Sequence, residues 1–516
     1  MVPYATFQAA RELDANGGAG AGFVSDPADP DAGVDVKFVI RDRFVVDLTG
    51  NPEFSQVESD SPQVTVNRRF EVLFPEKRPF FLENSDYFET PIRLVFTRRI
   101  ADPRAGARLT GKAGAYALGA LVSDDESPGR NLPPDDPLEG KKAAFGILRL
   151  RRDILSQSSL GVIYTERQLE SGFNRVGGVD GRLRLNDHWT TTFQAVTSAS
   201  RLLDGAALSG PGYHLSLGRS DRNFNYLAEI DDFSPGFRTD AGFVNRVDIR
   251  SLAQDASYFF FRPNGSRVQW VRPDLYLEHV GDHDGLRLDQ VIKPGLQIRF
   301  ARVTQIDLFH SSARERLRAQ DFAGLPDDRD FHPVTRGLSF MTRPANAFSA
   351  AGDVTWGTGI NFVPQAGAFP SLGALTSTSL SLTLRPPGPL RIDATLLSTR
   401  LSERGSGEEI FTDRIVRTRW NWQFNGELSL RAIVQYDATR VNPRLTSLER
   451  RRNLNGDLLF TYQVNPWTAL YAGINGNAQN VELADTPGGP QVVRTRHDLL
   501  NDSRQVFVKY SYRFGF

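Results

Sequence analysis

The stretch VFVKYSYRFGF, residues 506–516, places Val506, Val508, Tyr510, Tyr512, Phe514 and Phe516 on one face of an extended chain. Lys509, Ser511, Arg513 and Gly515 fall on the other, because successive side chains of a strand point to opposite faces. The same alternation recurs at 416–424, where Val416, Thr418, Trp420, Trp422 and Phe424 oppose Arg417, Arg419, Asn421 and Gln423. It recurs again at 427–436, where Leu428, Leu430, Ala432, Val434 and Tyr436 oppose Glu427, Ser429, Arg431 and Gln435. Such strands bury one face against a second sheet, or turn it to lipid around a wet interior.

The connections decide between the two. Counting back from the end, long linkers at 481–502, 438–451 and 402–412 alternate with tight ones at Asn465-Pro466-Trp467, Asn425-Gly426 and Pro386-Pro387-Gly388-Pro389. Further tight turns are expected at Lys293-Pro294-Gly295 and Asn186-Asp187. Short turns on one side and long loops on the other mark an outer-membrane barrel. The expected fold is all-β: one large single-chain transmembrane antiparallel β-barrel over residues 1–516, of about 26 strands, with short periplasmic turns, long extracellular loops and both chain ends on the periplasmic side.

Composition agrees. The chain has 45 Gly, 35 Phe, 13 Tyr and 6 Trp against 2 Met and no Cys, a β-rich usage that excludes disulfides and thiolate chemistry. Its 61 basic and 61 acidic residues cancel, so no global field favours nucleic acid as a partner. No apolar run approaches the ~18 residues of a transmembrane helix. The start, MVPYATFQAARELDANG, lacks a basic region followed by an apolar one, so no export signal is read.

One region breaks the pattern. Residues 69–99, RFEVLFPEKRPFFLENSDYFETPIRLVFTRR, mix aromatic and charged side chains, with Pro75 and Pro79 opposing regular structure. Strand parity places residues 74–91 at the periplasmic mouth, between a strand ending near Leu73 and another from Arg93. A turn there needs only a few residues, so this segment is expected to fold back into the barrel mouth as a plug. Phe74, Phe80, Phe81, Tyr87 and Phe88 would pack on the inner wall, with Glu76, Lys77, Arg78, Glu83 and Asp86 paired to lumen charges.

Other chemistry is thinner. Arg149, Arg151, Arg417, Arg419, Arg431 and Arg513 are expected to face the lumen, either capturing anionic groups or, as the favoured reading, pairing with residues such as Asp393 and Glu427. His279 and His283, among Glu278, Asp282 and Asp284, are weak metal candidates, since no third ligand stands at a defined spacing. Acidic stretches such as 26–31 lack calcium-loop spacing and read as solvated loops, and 17–22, GGAGAG, reads as a flexible loop. No Gly-x-Ser-x-Gly elbow is present and the seven His are scattered, so no enzyme and no cofactor are expected.

The runs DLTGNPEFSQVE (47–58), FPEKRPFFLEN (74–84), TRRI (97–100) and GARLTGK (106–112), with DFSPGF (232–237) and GFVNR (242–246), resemble the barrel family catalogued as domain of unknown function 5916. The resemblance implies a Gram-negative outer-membrane barrel, following in many members a signal peptide and a periplasmic domain similar to family 9 carbohydrate-binding modules. Met1 falls where the family's barrel would begin, so an N-terminally shortened chain without that upstream part is expected. The expected partners are outer-membrane lipid, the barrel-assembly machinery through Tyr510, Tyr512, Phe514 and Phe516 of the terminal strand, and a bulky solute such as a glycan or other polymer. The leading expectation is a gated or plugged pore. A surface-binding or anchoring barrel that uses its long loops is the alternative, and an outer-membrane hydrolase the second.

Overall fold

The computed structural model describes residues 1–14, 20–54, 57–130, 132–133, 135–322, 325–465, 467–487 and 489–514. Among the described residues one antiparallel sheet takes 26 strand segments, 24 of which make a closed circuit. The other two are accessory: Phe260–Phe261 continues Ile249–Tyr258 after a one-residue break, and Arg329–Phe331 pairs with the end of Thr304–Leu317. A separate hairpin, Val481–Thr486 with Gly489–Arg494, stands on the loop side. Closure comes from the first strand, Val2–Asp14, pairing with the last, Leu500–Ser511, through Tyr4↔Ser511 to Glu12↔Ser503. Closure pairs the first and last strands of the sheet with each other, which is what backbone surrounded by hydrocarbon requires of them.

The faces are sorted as the alternation predicts. Phe7, Leu148, Tyr213, Val434, Val508 and Tyr510 are exposed, whereas Arg108, Arg149, Asp180, Gln194, Arg417 and Lys509 are buried. Buried charge with exposed grease is the reverse of a soluble core and the signature of a barrel with lipid outside and polar matter within. Charge inside the wall is paired. Arg149 reaches across the intervening strand to Asp180, with two bonds of 2.5 and 2.6 Å. It crosses at Gly161, where a Cβ would stand 2.3 Å from the guanidinium.

Several local expectations are corrected. The last strand begins earlier, at Leu500, and ends at Ser511, although the N–H groups of Tyr512 and Phe514 still bond to Pro3 and Met1; Phe516 lies outside the described residues. Lys293-Pro294-Gly295 is no turn but the middle of strand Arg287–Phe300. Lys293 and Pro294 are unpaired with the following strand, as expected where proline has no N–H to give. Residues 26–31 lie within strand Gly22–Ile40 rather than in a loop. Of the glycine-rich stretch, Gly17, Gly18 and Ala19 are outside the described residues, and Gly22 opens that same strand. No strand ends near Leu73 or starts at Arg93: between Phe44–Gly50 and Ala105–Ala113, residues 51–104 contain no strand among the described residues. Six prolines at 52, 62, 75, 79, 91 and 103 and no sustained alternation account for that.

The Arg149–Asp180 pair gives a direct test of the wall. Arg149→Met leaves a buried carboxylate alone and is expected to cost about 3–5 kcal/mol, read as a lower temperature for loss of heat-modifiable gel mobility. Adding Asp180→Leu is expected to restore most of it. Equal losses in the single and double variants would show that the pair's charge is not what matters.

Candidate functional site

Residues 51–104 leave the wall and return to it at neighbouring points, Asn51 N–H bonding the Arg104 carbonyl at 2.6 Å. Between these ends the segment touches strands around the whole circuit, which is possible only from inside it. Lys509 bonds the Glu53 carbonyl at 2.7 Å. Asn67 exchanges two bonds with Ile360 and Phe362, at 2.8 and 2.7 Å. Arg69 reaches Glu315 at 2.9 Å and Asp289 at 3.4 Å. Ile92 N–H donates to Gln194 at 2.7 Å. The insert therefore spans the lumen.

Its own architecture centres on Arg78. That guanidinium meets Glu76 at 2.7 Å, the Ile100 carbonyl at 2.6 Å and the Thr97 carbonyl at 2.9 Å, and its carbon lies 4.4 Å from the Phe81 ring centre. One side chain thus ties three separated points of an irregular chain, replacing the ladder bonds it lacks. The Thr97 hydroxyl adds 2.7 Å to Glu76. Burial pushes the Glu76 carboxyl up, but the hydrogen bonds and charge of Arg78, with Thr97, outweigh it and hold the group below the usual carboxylate range. Short helical turns at Pro79–Leu82 and Ser85–Phe88 present Phe81 and Phe88 to a cluster with Leu121, Phe145, Ile147 and Leu169 of the wall. Ile92 and Leu94 pack with Val176, Val196, Phe233 and Phe237. The segments bearing the two groups of family-like motifs meet here: Phe96 N–H bonds Ala241, and Phe243 N–H bonds Arg93.

The expected site residues are distributed as follows. Phe80 gives its carbonyl to Arg108, which also pairs with Asp47 at 2.6 Å and Glu83 at 3.5 Å; Lys37 contacts Glu83 as well. Pro79, Phe80 and Glu83 line a cavity of about 630 Å3 with Met1, Trp467, Arg513 and Phe514, at the end of the barrel that carries both termini. Lys77 donates to the Ser59 carbonyl at 2.7 Å, and Tyr87 packs beside the Phe81 cluster. Asp86 is exposed and makes no ion pair among the described residues. Arg417 and Arg419 face the interior but do not pair with Glu427 or Asp393. They converge on Glu58 of the insert, at 3.1 and 2.9 Å, with Arg431 at 3.9 Å. Asp393 is taken by Arg391. Arg151 is partly buried, and Arg513, Tyr510, Tyr512 and Phe514 are exposed. His279 faces Gln290, while His283 lies between Asp232 at 2.9 Å and Asp248 at 3.1 Å, so the two histidines do not converge. Among the described residues no histidine bonds a serine hydroxyl.

Sequence reading missed a second feature, a polar cavity of about 730 Å3 between insert residues 59–66 and the wall. Gln435, Asp437, Asn453, Asn455, Asn477 and Gln479 project into it, beside Arg417 and Phe74. The available signal was the alternation of amides in RRNLNGD and INGNAQ, a polar stripe on two adjacent strands. Acid should loosen the insert. A carboxylate held below its ordinary value of 4.5 stabilises at higher pH, and that contribution is lost as pH falls through the lowered value. Hydrogen-exchange protection at residues 76–100, taken relative to the intrinsic rate at each pH, is expected to be flat from neutral pH to about 4.5 and to fall below it, with Glu76→Gln flattening the profile. An unchanged profile in E76Q would assign the acid sensitivity elsewhere.

The fold is similar to that of the copper transporter OprC over 79% of this chain and 78% of that one, with TM-score 0.50 and 9% identity. The siderophore receptor PirA from Pseudomonas aeruginosa aligns over 99% of this chain and 80% of its own, at TM-score 0.47 and 9% identity. BauA, the ferric preacinetobactin receptor from Acinetobacter baumannii, aligns over 99% and 80%, at 0.40 and 12%. At 9% identity the property shared with OprC is the barrel fold. No curated protein matches the chain. Residues 1–112, which hold the first four strands of the circuit and the whole of the insert, match the model of the family described as domain of unknown function (DUF5916).

Proposed function

We propose that the chain is a plugged outer-membrane transporter in which residues 51–104 are the plug and the amide-lined cavity beside it is where a bulky polar solute first binds. The observation that carries this reading is the convergence of Arg417, Arg419 and Arg431 on Glu58, with Lys509 at Glu53 and Arg69 at Glu315 and Asp289. Hydrophobic burial alone would fix the insert permanently. A set of ion pairs in a wet lumen can exchange partners with water and solute, since such pairs individually contribute little.

The lining supports one solute class in this reading: Asn453, Asn455, Asn477, Gln435 and Gln479 supply amide donors and acceptors beside Asp60, Asp413, Asp437, Glu449, Arg417 and Arg451, a polar surface suited to a hydroxyl-rich solute such as a glycan. The fold shared with OprC, a named transporter, supports a role in passage across the membrane. A barrel of this circumference would be leaky if empty, since smaller porins already hold an aqueous channel.

Replacing residues 52–103 by a short Gly-Ser linker is feasible because Asn51 and Arg104 are hydrogen-bonded neighbours. In planar bilayers the intact chain is expected to be nearly silent, and the deleted chain to conduct on the order of tenfold more or better. A folded deletion variant as silent as the parent would remove the plug reading.

A further inference from the structure

The wall is uneven. Strand Gly22–Ile40 has 19 residues, but its neighbour Phe44–Gly50 has 7, and the two pair only over 34–40. The next strands, Ala105–Ala113 and Tyr116–Asp125, have 9 and 10 residues before the wall returns to 12 at Ala143–Ile154. Residues 22–33 thus have a single strand neighbour among the described residues, the first strand. Because the two strands share the short turn at 41–43, the missing wall is on the long-loop side.

Register fixes the level of this notch. Pro30 pairs with Phe7, and Phe7 pairs with Val508. Phe7 and Val508 are 54% and 40% exposed on the apolar outer face, so the free edge crosses the lipid-facing belt. Pro30, Asp31, Ala32, Asn51, Arg104 and Ala105, on both sides of the gap, are exposed, and among the described residues no backbone of insert or loop pairs with residues 22–33.

At Pro30 to Ala32 the edge is also finished. The Ala32 carbonyl accepts from the Asn51 amide at 3.1 Å, and its N–H donates to the Asp31 carboxylate at 2.8 Å. Pro30, two residues back and so on the same edge, has no N–H at all. Asp124 accepts from the N–H groups of Arg104 and Ala105 at 2.9 and 2.7 Å, and Asp125 from Asp102 at 2.8 Å. The strand is bulged between Asp26 and Asp29, where two of its residues stand opposite the single one between Gln8 and Ala10. An edge awaiting a partner strand keeps its N–H groups available, whereas proline, charge and a bulge turn one away. Strand addition is disfavoured, and backbone capped by side chains can tolerate hydrocarbon nearby.

We infer that the notch is a lateral portal, where the acyl chain of a membrane amphiphile leaves the bilayer plane and contacts the two ends of the insert at Asn51 and Arg104. This goes beyond the transport reading, because it concerns the wall and holds whether or not the insert acts as a plug. The chain contains no cysteine, so single-cysteine variants can be labelled with bimane and reconstituted in phosphatidylcholine vesicles with brominated acyl chains. Leu148→Cys on the apolar outer face is the positive reference, and Asn455→Cys in the lumen cavity the negative one. Arg104→Cys and Asn51→Cys are each checked for folded gel mobility. Both are expected to be quenched at least half as strongly as L148C. Quenching of both no greater than at N455C, with L148C fully quenched, overturns the portal. So does photo-crosslinking at position 104 in native outer membranes that captures protein in place of lipid. The conductance of the insert-deleted chain is a separate readout, so either proposal can fail alone.

Discussion

Everything in this structure follows from one constraint: where water is absent, each backbone N–H and C=O must find a partner within the protein. Strands satisfy it only by closing into a circuit. Closure puts the alternating polar residues on the inside, and a circuit of this size encloses far more space than they can fill. The insert is the response to that space, and its charged residues answer the charges that closure turned inward. The Arg149–Asp180 bridge and the Arg417–Glu58 contact are thus two solutions to one problem, the first within the wall and the second between wall and insert.

The insert is held differently from a soluble core. Part of it, around Phe81, Phe88, Ile92 and Leu94, is packed against apolar wall residues, and there the barrel interior resembles an ordinary domain. Apart from Val66 beside Leu401, Ile410 and Phe411, its other contacts are mainly ion pairs and hydrogen bonds to distant strands. The division is spatial: the packed part lies against the strands between 105 and 249, and Glu53, Glu58, Asn67 and Arg69 face the rest. A local loosening would begin on the polar side.

The fold was legible because alternation is a local signal. Leu428 to Tyr436 and Val506 to Tyr512 declare their two faces without any tertiary information, and long and short linkers declare which ends meet. What resisted reading was set at long range. Residues 26–31 look like a loop because aspartate and proline dominate them, and only a missing neighbour strand explains why a strand can carry them. Pro294 reads as a turn because proline usually breaks a ladder, yet here one ladder carries on opposite Leu275 while the other lapses. In the insert, the aromatic and charged composition marked an exception to the pattern, but its true extent, 51–104, was hidden by short apolar runs that imitate strands. The partners of Arg417 and Arg419 could not be read at all, because Glu58 lies more than three hundred residues away and no periodicity links them.

The trio of arginines around Glu58 has an electrostatic consequence of its own. With the carboxylate in place, three guanidinium groups share two counter-charges, Glu58 and the Asp457 that lies 3.3 Å from Arg431, and already exceed them by one. Withdraw the carboxylate and their mutual repulsion is uncovered, creating a positive focus inside a low-dielectric wall. An anionic group arriving in the lumen would relieve that repulsion as Glu58 does. Displacement of the insert and binding of an anion at this point are therefore coupled by mass action, each lowering the free-energy cost of the other.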